Sequence, residues 1–168
     1  MRRTLGTYAI VDEPRPGRLA RLAVRPYWPL LAAMAAGGWL AWPWFAFNAQ
    51  ALGAPARRRT YAWIAGVVVV TVGLVLGIDF AEVHGWIPES AIPWAVLPIV
   101  LWKLATVYAL FEQQEITSEL FLHFGGKLRS GAILTVAGVY VGHTWIAHWA
   151  ARVDQSSPLV VGMLWVLQ

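Results

Sequence analysis

Few residues in this chain could do chemistry, because only 13% are charged and none is cysteine. Glu112, Glu115, Glu119 and His123 recur at spacings of 3, 4 and 4, which places them in one stripe along a helix. A stripe of carboxylates ending in histidine can hold a metal in carboxylate-bridged bundles, provided another helix supplies a second ligand set. The apolar segments offer no Asp or Glu for that purpose, so a solvated face is the expectation. Asp79, Glu82 and His84 form a second cluster of ligand types. His84 does not follow Glu82 at i+3 or i+4, which favours a solvated acidic loop over a metal site. His143 and His148 lie in an apolar stretch, where ionisable groups are costly and invite a functional reading. Five residues apart, they point about 140° from each other and cannot chelate together. His143 could be an axial ligand for haem or chlorophyll. A bis-histidine haem needs a facing histidine that no other segment supplies, and a helix–helix hydrogen bond from neutral His143 is the plainer reading. No cofactor and no metal is therefore expected.

Lys103 is the one charge inside an otherwise uncharged run. It can snorkel, meet a carbonyl freed near Pro98, or face a carboxylate of a partner protein. The chain has no nucleophile motif, phosphate-binding loop, dinucleotide fingerprint or zinc-protease signature. No catalytic residue and no small-molecule substrate emerges.

The elements that must position these residues are apolar. Hydrophobic residues make up 58% of the chain, and mean hydropathy is +0.55. Ordinary soluble domains carry about 25% charged residues. This composition excludes a typical cytosolic domain, a disordered chain, a coiled coil and a disulfide scaffold. Four segments, at about 27–53, 60–79, 91–112 and 130–151, are each long enough for a membrane span of about 20 residues. Continuous apolar runs favour helices over barrel strands. The expected fold is all-α, an integral membrane bundle over 26–152. A basic N-terminal segment, 1–25, precedes it and a short apolar tail, 153–168, follows. The tail is too short to cross and suits an interfacial or re-entrant cap. A cleavable signal peptide is not expected, since no apolar region follows Met1-Arg-Arg closely.

Two topologies stay open. If all four segments cross, the Lys and Arg residues outside them divide seven to five between the two sides. If the first segment dips in and returns, they divide eleven to one, which the positive-inside rule prefers. Gly37-Gly38 and Pro43 interrupt that segment and suit a hairpin. Re-entrant hairpins are rare, and Gly and Pro are also common in helices that cross, so four spans are the first expectation and the hairpin the alternative. Either way the N-terminus is cytoplasmic. Tyr27, Trp28, Tyr61, Trp63, Trp94, Trp145 and Trp149 mark segment ends, so aromatic belts account for these residues without a ligand.

Residues 17–25 read as a basic interfacial helix with Arg18, Arg21 and Arg25 on one face. Arg57, Arg58 and Arg59 form a second surface-anchoring group. The lipid bilayer is one expected partner, and nothing points to nucleic acid. Gly73-x-x-x-Gly77 and Gly138-x-x-x-Gly142 fit the close-packing motif of membrane helices. They mark the second and fourth segments for packing within the chain, with another membrane protein or with a second copy.

Two stretches also carry a resemblance. One is Pro29, Gly37-Gly38, Phe47-Asn48 and Leu52-Gly53; the other is Gln113-Gln114, His123, Gly125-Gly126-Lys127 and Ser130. In these the chain resembles a widespread group of small bacterial polytopic inner-membrane proteins of about four helices. It departs from them at Ala54-Pro55-Ala56, where such proteins tend to be basic at once. The resemblance implies a multi-pass protein of the bacterial inner membrane and implies no activity. The functional expectation is a non-enzymatic accessory or assembly subunit that packs against another membrane protein. The alternatives are an immunity protein against a membrane-active toxin, and a redox or pigment subunit using His143.

Overall fold

The computed structural model describes residues 17–152 with Leu164, Val166 and Leu167, the side chains of Glu89, His143 and residues 149–151 excepted. Five α-helices follow in order: α1 Tyr27–Ala35, α2 Gly38–Ala51, α3 Arg57–Val83, α4 Ile92–His123 and α5 Ala132–Arg152. No strand interrupts them among the described residues, and the architecture is all-helical. Two of the described helices, α3 and α4, are long and apolar enough to cross a membrane. Four such segments were expected. α5 has the length, at 21 residues, but carries two histidines and several aromatics. The first segment departs furthest, because it is not one helix.

That segment breaks at Gly37, whose φ of 94° and ψ of −178° suit glycine almost alone. The break leaves α1 with nine residues and α2 with 14, about 14 and 21 Å long. Neither spans about 30 Å. The two arms pack on each other and their outer ends meet. Asn48, near the end of α2, accepts from the Val24 amide at 3.2 Å and donates to the Val24 carbonyl at 3.0 Å. Val24 stands three residues before α1, so the segment enters and leaves at the same end of the molecule.

The returning arm becomes the centre of the bundle. In α2, Ala41, Trp42, Trp44, Phe45, Asn48 and Ala49 are all buried. A helix apolar all round is one enclosed by others. Trp42 and Phe45 pack with Val67 of α3 and with Val107 and Leu110 of α4. Trp44 packs with Val24 and Ala32, and Leu40 joins this group. Thus Trp39, Trp42 and Trp44 serve the interior rather than a boundary belt.

The same end gathers the other chain entries. Gln113 of α4 donates to the Ala56 carbonyl and the Thr60 hydroxyl, both at 3.2 Å, joining the lower part of α4 to the start of α3. Gln114 donates to the Phe45 carbonyl at 2.6 Å. The Arg129 amide donates to the Ala23 carbonyl at 2.9 Å. α4 runs on to His123 and stops where Gly125 takes a φ of 82°. This basic end therefore collects Arg18, Arg21, Arg25, Arg57, Arg58, Arg59, Lys127 and Arg129. Asp79, Glu82 and the turn around Gly85 lie at the far end of α3.

Residues 17–25 are not an α-helix. A 3-10 helix covers Arg18–Leu22, and Ala23 already has extended backbone. Three residues per turn bring i and i+3 into register. Arg18 and Arg21 thus form one row and Leu19 and Leu22 the next. Ala20 within the helix and Ala23 just beyond it both pack on Ala51, Leu52 and Phe121. Arg25 falls outside the helix, and its row is shorter than an α-helical reading implies.

Candidate functional site

The packing residues named from sequence divide sharply. Gly138 and Gly142 face inward with Gly131, Thr135 and Ile146, one face of α5. A side chain at Gly138 would meet Leu40, and one at Gly142 would meet the Trp39 ring. Their small size is used within the chain, to seat α5 against the first residues of α2. Gly73 and Gly77 are exposed, and no atom lies within 4 Å of where a Cβ would stand. Gly66 on the same helix is half-buried but also has no atom within 4 Å of an added Cβ. At intervals of seven and four, the three glycines share one side of α3. Val69 beside them is 70% exposed.

Lys103 lies on α4 at the turn of the α1–α2 hairpin. It lines a cavity of about 270 Å³ with Ala33, Met34, Gly38, Trp42, Val100 and Val107. The cavity is apolar except for the lysine. Gly38 closes one side, where an added Cβ would collide with Trp42 Nε1 and the Val166 carbonyl. Trp42 Nε1 donates to that carbonyl at 3.3 Å, so the tail returns to the hairpin turn. The rest of the tail, residues 153–163 with Trp165 and Gln168, lies outside the described residues, as does the N-terminal segment before Gly17.

The two candidate ligand clusters do not assemble. Among the described residues, no group of three His, Asp or Glu side chains is placed to hold a metal. His84 Nδ1 lies 2.8 Å from the Phe80 carbonyl, and its ring stacks 4.0 Å from Phe80, with Trp86 beyond. It finishes α3 and is turned away from ligand duty. His148 Nδ1 lies 3.1 Å from the Thr144 carbonyl. The side chain of His143 lies outside the described residues. Glu112, Glu115, Glu119 and His123 are exposed on α4.

No family profile, curated protein or solved structure matches this chain. Its functional reading rests on its own geometry.

That geometry gives roles to Asn48 and Gln114, which the sequence offered only as parts of the resemblance, and adds Ser118. Asn48, Gln114 and Ser118 are buried polar groups at 0%, 1% and 3% exposure, all at the basic end. An unsatisfied buried polar group costs about 1–3 kcal/mol, so such residues persist where they hold something. Asn48 and Gln114 hold the hairpin. Ser118 Oγ has no hydrogen-bond partner. The signal available in sequence was an amide or hydroxyl set in an apolar run, read without knowing what it faces.

Proposed function

We propose that this chain is a multi-pass protein of the bacterial inner membrane that works without catalysis, as an accessory or assembly subunit docked on another membrane protein. In this reading α3, α4 and α5 cross the bilayer. The α1–α2 hairpin enters from the basic, cytoplasmic side and turns near the midplane. The positive-inside rule favours this arrangement, since it places eleven of the Lys and Arg residues on one side and one on the other. The outward faces of the helices agree with a lipid setting. Ile133, Val136 and Tyr140 of α5 are at least 71% exposed. Gly37 and Gly38 at the hairpin turn are buried, which suits irregular backbone placed at membrane depth.

The open glycine side of α3 carries the docking proposal. Lipid chains gain nothing from a glycine row, whereas a second helix can approach closely on one. Gly138 and Gly142 already receive Leu40 and Trp39, so the chain uses this device internally. The α3 row has no such occupant among the described residues. Affinity purification of the tagged protein in mild detergent, followed by mass spectrometry, tests this. A stoichiometric membrane partner lost in Gly73→Leu, with the variant still folded, is the expected result. Recovery of the same material from wild type and Gly73→Leu would overturn it. A second copy as the only partner would make the assembly a homo-oligomer.

A further inference from the structure

We infer that the basic end carries a specific site for a zwitterionic phosphoethanolamine headgroup, formed between α4 and the segment that leads into α1. The inference rests on the membrane reading above, which sets this end at headgroup level. A cavity of about 210 Å³ opens there, lined by Arg25, Tyr27, Phe111, Glu115, Ser118 and Glu119, with Leu122 and Leu128 completing its wall. Its charges are mixed. Arg25 supplies one fixed cation with donors suited to a phosphate. Glu115 and Glu119, four residues apart on α4, supply two carboxylates suited to an ammonium.

Ser118 makes this more than a meeting of surface charges. Its side chain is 3% exposed, lines the cavity and leaves its hydroxyl oxygen without a partner. A buried hydroxyl in that condition wants a ligand group. The Phe111, Leu122 and Leu128 side chains form an apolar flank on which the glycerol end of a lipid can lie.

The surroundings sharpen the selectivity. Arg18, Arg21, Lys127 and Arg129 make this end basic, and a basic surface alone would favour any anionic lipid. The cavity itself holds one arginine and two glutamates. An anionic headgroup without an amine leaves both carboxylates opposed. A choline headgroup has the positive charge but no N–H to donate. A primary ammonium has N–H donors for both carboxylates, and its adjacent phosphate can accept from Arg25 and from the serine.

The full chain in nanodiscs of equal phosphatidylethanolamine, phosphatidylcholine and phosphatidylglycerol tests the site. Native mass spectrometry then reads the lipids retained on release. Wild type is expected to retain phosphatidylethanolamine over phosphatidylcholine by roughly tenfold, the size of one charge-assisted hydrogen bond. E119Q and E115Q should erase that preference, while R25Q should lower retention of both zwitterionic lipids. E119Q changes an exposed side chain, so its effect is read on a folded protein. Soluble phosphoethanolamine that displaces the lipid would show recognition of the headgroup alone; no displacement would show that the chains are needed. Insertion with equal retention of the three lipids, or a preference unchanged in E119Q, overturns the site. Failure of wild type to float with vesicles overturns the membrane reading instead.

Discussion

The first apolar segment and α3 each contain a long uncharged run and reach opposite outcomes. Residues 26–56 hold no charge, and neither do residues 60–78. The first folds back on itself as two short helices, and the second runs on within one helix of 27 residues. Apolar content does not decide between them. Three local features do. Gly37 allows the reversal, Gly38 leaves room for Trp42 and the Val166 carbonyl, and Asn48 ties the returning arm to Val24. α3 also contains three glycines, yet they sit within a continuous helix and none takes a positive φ. A glycine breaks a helix here only where the chain beyond it has something to close on.

This matters more in lipid than in water. Lipid tails are as apolar as leucine, so burying α2 gains little from the hydrophobic effect. Close packing and polar closure must hold the hairpin. The comparison can be broken at its closure first. Asn48→Ala leaves the Val24 amide and carbonyl buried without partners, a loss of roughly 2–5 kcal/mol. Thermal unfolding in detergent should show it as the largest drop among these variants. Gly38→Ala comes next, at about 1–3 kcal/mol, because the new Cβ meets Trp42 Nε1 and the Val166 carbonyl. Gly37→Ala should cost about 1–3 kcal/mol through backbone strain alone, with no new collision needed. Gly73→Ala sharpens the contrast from the other side. It should stabilise the isolated chain by about 0.5–1 kcal/mol through helix propensity, since the site is open. The same substitution should weaken recovery of a docked partner, measured by mass spectrometry.

Much of this architecture is legible in the sequence, and what is not has a physical reason. The all-helical character follows from the long apolar runs. The Gly37-Gly38 pair marks a point of weakness in the first segment, but weakness permits a hairpin without requiring one. The requirement comes from Asn48 reaching Val24, a contact across 24 residues that no local pattern announces. The two Gly-x-x-x-Gly motifs are indistinguishable as text. Only the fold shows that Trp39 and Leu40 occupy one and leave the other open. The basic stretch around Arg18 fits three residues per turn as well as 3.6, and in the tighter helix half-buried Ala20 comes with buried Ala23 against Ala51, Leu52 and Phe121. Of the chemistry-bearing residues, Glu115 and Glu119 were visible as part of a stripe. Their cavity was not, because Arg25 and Tyr27 come from the far end of the sequence.

The central claim is that the first segment re-enters, so that its two ends share one side of the membrane. The chain has no cysteine, which makes single-cysteine variants clean reporters. Leu19→Cys, Ala56→Cys and Val83→Cys in intact cells and in inverted membrane vesicles, treated with a membrane-impermeant maleimide, provide the direct measurement. The account predicts that Leu19→Cys and Ala56→Cys label only in inverted vesicles and Val83→Cys only in intact cells. Labelling of Ala56→Cys from the opposite side to Leu19→Cys would mean that the segment crosses, and would contradict the account.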